Sequence, residues 1–180
     1  MRPTTVLVEG HSDRVAVETL AARLGHDLVA QQVTVVPMGG ATSIGRFVTR
    51  YGPAGAAHRL VGLCDRAESA YVLRALERAD LGSPVHLEVC DADLEDELVR
   101  CLGTDAVLDV IDRAGELASF RLLQRQPAQR ARPLPAQLHR FFAGRSGHKL
   151  TYARLLVEAL PAGKAPPPLT ALVQAMTHHP

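Results

Sequence analysis

The stretch Val6-Leu7-Val8-Glu9-Gly10-His11-Ser12-Asp13 decides the fold. Three apolar residues closing on a carboxylate read as a buried strand. Gly10 and His11 form the turn, Ser12 is suited to cap a helix, and Asp13 falls in that helix's first turn. The helix is expected to run to about Leu24, with Ala16, Leu20 and Leu24 on one face and Gly25 as its stop. First-turn electrostatics, about 0.3–1 kcal/mol, would account for Asp13 alone. They give no reason for Glu9, a carboxylate that ends an apolar strand.

Outward from this stretch the same unit recurs. Val33–Pro37 reads as a second strand, and Met38-Gly39-Gly40-Ala41-Thr42 is a glycine loop into a helix over 43–51. Arg59–Cys64 is a third strand with Asp65 at its end, followed by a helix over 69–79. Pro84–Cys90 is a fourth, and an acidic loop then enters a helix that Gly103 stops. Strands alternating with helices predict an α/β fold, a parallel sheet flanked by helices on both faces. Sites in such sheets form beyond the C-terminal strand ends. Glu9, Gly39-Gly40, Asp65 and the acids of 91–97 all follow strand ends. From Asp105 onward the reading is helical, near 105–125, 135–143, 149–160 and 169–177, with proline-rich breaks at 126–135 and 161–168.

Charge is divided along the chain. Of the 19 acids, 18 precede position 117, and none lies between Leu117 and Val157. Residues 1–116 carry 11 Lys+Arg against 18 Asp+Glu, a balance of −7; residues 117–180 carry 9 against 1, a balance of +8. An acidic half can hold divalent cations and a basic half polyanions. No apolar run is long enough to span a membrane, and the start of the chain reads as a strand rather than a secretory signal. Cys64, Cys90 and Cys101 suggest neither a disulfide framework nor a zinc site, so a cytoplasmic location is expected.

Three further groups of residues carry chemistry. Asp65 follows an apolar strand, where a carboxylate is costly to bury unless paired or bound to a cation. Asp91-Ala92-Asp93-Leu94-Glu95-Asp96-Glu97 packs five acids into seven residues. Spacing leaves open which are solvated, which cap the helix and which bind cations. Gly144-Arg145-Ser146-Gly147-His148-Lys149 is basic and precedes a helix. With 18 Arg and only Lys149 and Lys164 as lysines, Lys149 points to a need for a compact charge at a phosphate or for proton delivery. His11 and His148 are weaker candidates for proton shuttling, and His178-His179 is expected to fray. Arg121, Arg125, Arg130, Arg132, Arg140 and Arg145 are candidates to hold a nucleic-acid backbone without reading sequence. Only 4% of residues are aromatic, which argues against extensive base stacking.

At Val6–Asp13, the Gly39-Gly40 loop and Leu63-Cys64-Asp65, the chain resembles the Toprim domain of the OLD (overcoming lysogenization defect) family nucleases. Asp93-Leu94-Glu95 and Lys149 resemble that family's last acidic motif and downstream lysine. The resemblance implies a Toprim-like (Rossmann-like) core over 1–104, with a four-stranded parallel sheet, and a basic helical extension packed on it over 105–180. It implies a Mg²⁺- or Mn²⁺-dependent endonuclease with two ions, held by Glu9, Asp13, Asp65, Asp93 and Glu95. Glu9 and Lys149 would be catalytic, Lys149 at the scissile phosphate. Nucleic acid is the implied partner, DNA ahead of RNA. Two departures stand out. Ala67 occupies the second position of the usual Asp-x-Asp, with Glu68 next to it. The family's N-terminal ATPase is not expected here, because Glu9 is near the start and no GxxxxGK(S/T) occurs, so ATP control would come from a separate ATPase partner or be absent.

Two other readings compete. One is a catalytically weak nucleic-acid-binding module that partners a separate ATPase. The other is a receiver domain phosphorylated on Asp65, disfavoured because Lys149 follows helical segments and not a fifth strand. The sequence sets no oligomeric state.

Overall fold

The computed structural model describes residues 2–79, 81–82 and 84–178; His179 of the terminal pair lies outside them. Four parallel strands, β1 (Thr4–Val8), β2 (Val33–Pro37), β3 (Arg59–Asp65) and β4 (His86–Cys90), form one sheet in the order β2-β1-β3-β4. Val6 pairs with Val35 on one side and with Val61 on the other. β1 is buried along its whole length, Thr4 and Thr5 as well as Val6-Leu7-Val8, as befits a central parallel strand.

The helices follow from right-handed crossovers. β1 crosses to β2 in one direction, carrying α1 (His11–Arg23) over one face. β2 crosses back past β1 to β3 through α2 (Ile44–Tyr51), and β3 continues to β4 through α3 (Arg66–Arg78), so both lie on the other face. There Leu7, Met38, Ile44, Phe47, Leu60, Cys64 and Val72 form one apolar cluster. The chain then runs through α4 (Leu94–Leu102), α5 (Thr104–Arg113), α6 (Leu117–Arg125), α7 (Leu134–Phe142), α8 (His148–Ala159) and α9 (Pro167–Thr177). These join α1 on the first face. α9 packs on β3 and β4, the part of the sheet that α1 leaves uncovered, and α8 packs along α1. One continuous cluster therefore runs from Val6 and Val17 through Leu98 and Phe120 to Leu156 and Met176.

Arginines of the strand-rich half fasten the later helices. Arg23 donates to the backbone oxygens of Val157 and, at 2.8 Å, Leu160, at the C-terminus of α8. Arg59 donates to those of Ala175 (2.8 Å) and Met176 (3.1 Å) at the C-terminus of α9. Both place a cation at the carbonyl end of a helix.

Several expectations are corrected. Gly10, not Ser12, caps α1, because the helix begins at His11. Leu24 is 52% exposed, unlike buried Ala16 and Leu20, because the helix has ended at Arg23. The helix expected over 105–125 is two, α5 and α6, broken at Gly115, whose φ of +74° leaves the helical region. α3 begins at Arg66 rather than near Ser69, since Asp65 is already its cap, and β4 begins at His86 rather than Pro84.

Candidate active site

The strand order reverses between β1 and β3, so Glu9 and Asp65 come side by side at the point where α1 and α3 leave for opposite faces. This is where parallel sheets open a crevice. A cavity of about 520 Å³ lies there, lined by Glu9, Asp13, Asp65, Asp93, Glu95 and Lys149. All five proposed metal ligands and the lysine, from four separate segments, thus reach one space. Gly10–Ser12, at the first turn of α1, Gly39-Gly40 and Leu150 complete the lining. Gly39 and Gly40 donate their N–H groups to the Glu9 carbonyl at 3.0 and 3.2 Å. Their φ angles of +73° and +112° favour residues without a Cβ. The loop therefore folds back over the end of β1.

These observations meet the comparisons with known proteins. Residues 3–58, spanning β1 to α2 and the glycine loop, match the family model of the overcoming lysogenization defect protein-like Toprim domain. The chain superposes on the C-terminal region of the Burkholderia pseudomallei OLD protein with a TM-score of 0.71 at 19% identity, covering 97% of this chain and 96% of that one. The corresponding region of the Xanthomonas campestris pv. campestris OLD protein gives 0.71 at 21% identity, covering 98% and 95%. The fold is OLD-type Toprim. No curated protein matches the chain in sequence.

Within this Toprim fold the acidic run 91–97 sorts into two sets. Arg100 binds Asp96 and Glu97, each at 2.8 Å, and approaches Asp91 at 3.6 Å, while Arg66 takes Asp91 at 2.7 Å. Those three acids are neutralised away from the cavity. Asp93 and Glu95 remain to line it. Asp93 is the cap of α4, its Oδ1 accepting from the Asp96 N–H at 2.8 Å, and its Oδ2 lies 2.7 Å from His139 Nε2 of α7. Both of its oxygens are thus engaged. Glu95 is only 5% exposed, and its Oε1 lies 3.3 Å from Lys149 Nζ without a hydrogen bond.

The local electrostatics are those of carboxylates crowded in a poorly solvated place. Burial first, then neighbouring Glu68, Asp65 and Asp13, push the Glu9 carboxyl up to about 7. Burial, then Asp13 and Asp93, raise Asp65 to about 7. Asp13 rises to about 6, chiefly by burial, although it accepts from the Gly10 N–H at 2.7 Å. Burial works against the Lys149 charge, but Glu95 and Asp93 outweigh it and hold the ammonium above its usual value.

Oxygen-only donors suit a hard divalent cation. Buried Glu9 Oε2, Glu68 Oε2 and Glu95 Oε1 have no hydrogen-bond partner, so each has capacity for one. Among the described residues, no three Asp, Glu, His or Cys side chains converge into a closed metal cage. The residues fit a divalent cation in donor type and free lone pairs, in an open rather than a preformed site.

Two residues outside the original set belong to this region. Glu68 adjoins Glu9, because α3 starts at once: Ala67, second in the helix, is exposed, and Glu68, third, turns back towards the strand end. His139 holds Asp93 from 46 residues away and had no local signal. The six arginines proposed to hold a nucleic-acid backbone are all exposed. Arg140 and Arg145 share a second cavity, apart from the first. His11 lines the first cavity and His148 the second.

Proposed function

We propose that this chain is a divalent-metal-dependent nuclease that cleaves nucleic-acid phosphodiester bonds at the Toprim crevice. The observation that carries this reading is the convergence of Glu9, Asp13, Asp65, Asp93, Glu95 and Lys149 on one cavity at the sheet's switch point. The OLD-type fold supports it, since the family is one of nucleases.

Glu9, Asp13, Asp65 and Glu95 would hold Mg²⁺ or Mn²⁺, with Glu68 in the place left by Ala67. Bound there, the cation supplies Lewis acidity toward the phosphate and the attacking water. Glu9 Oε2 is an acceptor able to orient that water. The first turn of α1, with its unsatisfied N–H groups, offers a favourable field for a phosphate oxygen. Lys149 Nζ, pointed at the cavity by its pairing with Glu95, donates to the oxygens on which charge develops. Asp93 would act mainly through α4, fixing Glu95 by capping the helix that carries it. The exposed arginines beyond Leu117 would hold the backbone, on DNA ahead of RNA.

The test is cleavage of plasmid and of end-labelled oligonucleotides with Mg²⁺, Mn²⁺ or EDTA, for the natural chain and for Asp65→Ala. Cleavage that needs the cation and falls at least 100-fold in Asp65→Ala is expected, with an unchanged circular dichroism spectrum. Nucleic-acid binding without any cleavage would instead favour a module that serves a separate ATPase.

A further inference from the structure

His148 and Lys149 are neighbours at the start of α8, yet they line different cavities. The cavity on the His148 side has a volume of about 300 Å³ and is formed by α6, α7 and the turn before α8, with Ser119, Leu122, Gln126, Arg140 and Arg145 around it. Its cations are weakly neutralised. Arg140 makes no ion pair among the described residues, and Arg145 only approaches Glu116 at 3.9 Å. No acid occurs between Leu117 and Val157, so α6, α7 and the turn supply none. Its apolar surface is led by Leu122, 64% exposed, with Phe141 behind.

His148 is fixed at the rim. Its Nε2 lies 3.1 Å from Glu116 Oε1 and its Nδ1 3.3 Å from the Phe141 carbonyl. Glu116 is in turn held by the buried Tyr152 hydroxyl, which donates to its Oε2 at 2.7 Å. The first turn of α8, which carries His148 to one cavity and Lys149 to the other, is therefore braced. Weakly neutralised guanidinium groups, an exposed apolar surface and the amide and hydroxyl of Gln126 and Ser119 match the three parts of a nucleotide: phosphate, base face and base edge.

We propose that this second cavity seats one unpaired nucleotide of the substrate strand, beside the phosphate held at Lys149. The inference rests on the nuclease reading of the first cavity. Arg140 and Arg145 take the phosphate, and the base lies on Leu122. A base in duplex is already stacked and paired and must be extruded before it can enter, which costs free energy. The chain should therefore favour strands with an overhang, gap or frayed end. A single such seat needs no aromatic platform, consistent with the low aromatic content.

The experiment measures binding in EDTA of a labelled blunt duplex and of the same duplex carrying a short single-stranded overhang. It compares the natural chain with Leu122→Glu and with Leu73→Glu, the same change at an exposed leucine on α3. The natural chain and Leu73→Glu are expected to bind the overhang about tenfold more tightly than the blunt duplex. Leu122→Glu should remove that difference while keeping most blunt-duplex binding. No overhang preference in the natural chain, or equal weakening of both substrates by Leu122→Glu, would overturn the proposal. Metal-dependent cleavage with no overhang preference would leave the nuclease reading standing without this pocket. An overhang preference abolished by Leu122→Glu in a chain that cleaves nothing would keep the pocket and remove the nuclease.

Discussion

Lys149 is half-exposed, 3.3 Å from a buried Glu95, in a chain that, Lys164 apart, meets its need for positive charge with arginine. If its ammonium donates to the phosphate as charge develops, Lys149→Ala should lower turnover by about 100-fold or more, with little change in substrate binding. Lys149→Arg should rescue poorly, since a planar fork does not replace a compact ammonium. Single-turnover rates and binding constants for both variants check this; equal losses of affinity and no loss of turnover would make Lys149 only a backbone contact. At this scale the sequence was legible wherever a carboxylate broke an apolar strand, as at Glu9 and Asp65. It was illegible where function depends on which way a helix turn faces. The chain reads Asp65-Arg66-Ala67-Glu68, and only the start of α3 at Arg66 shows that Glu68, not Ala67, returns to the strand end. The five acids of 91–97 were likewise inseparable by spacing. Arg100 takes Asp96 and Glu97 at helical i,i+4 and i,i+3 spacing, but the Arg66–Asp91 pair, 25 residues apart, is visible only in three dimensions.

The element that carries Lys149 is α8, which is anchored at both ends. Its C-terminal carbonyls receive Arg23 of α1, and its N-terminal turn is braced through His148 and Tyr152 on Glu116. Arg23→Ala would leave the Val157 and Leu160 carbonyls without this donor and should cost about 1–2 kcal/mol of stability. It should lower the melting temperature by a few degrees. Thermal unfolding followed by circular dichroism checks this, and an unchanged midpoint would mean that water serves those carbonyls equally well. The strands were readable because each is a short apolar run bounded by turns. The later helices were readable as helices, apart from the break at Gly115. Their docking was not. That α9 covers β3 and β4, and that Arg59 seals its end from 116 residues away, depends on contacts far apart in the chain, which no local period encodes.

Across the whole molecule the two charge poles set two responses. If three to five of the exposed arginines beyond Leu117 touch phosphates, log affinity for duplex should fall with log salt at a slope of roughly −3 to −5; a flat response in a fluorescence titration would reduce the basic half to a solvated surface. The acidic pole sets the response to pH. In the folded chain Glu9 and Asp65 hold their protons up to about 7 and Asp13 up to about 6, all above ordinary carboxyl values, because burial and mutual repulsion disfavour the charged forms. The folded state therefore binds more protons than the unfolded state between about pH 4 and 7. The stability contributed by this cluster is fully present below about pH 4, and it is lost as pH rises through 6 and 7. Lys149, held above its usual value, stays charged throughout this window and does not offset the loss. A divalent cation competes with those protons and binds the deprotonated carboxylates, so it restores stability by mass action. In EDTA the melting temperature should fall from pH 5 to pH 8. Millimolar Mn²⁺ should raise it little at pH 5 and most at pH 8, and Asp65→Asn should shrink both effects. Melting curves that rise steadily with pH in EDTA, or that ignore Mn²⁺ at pH 8, would contradict a cation site in this crevice.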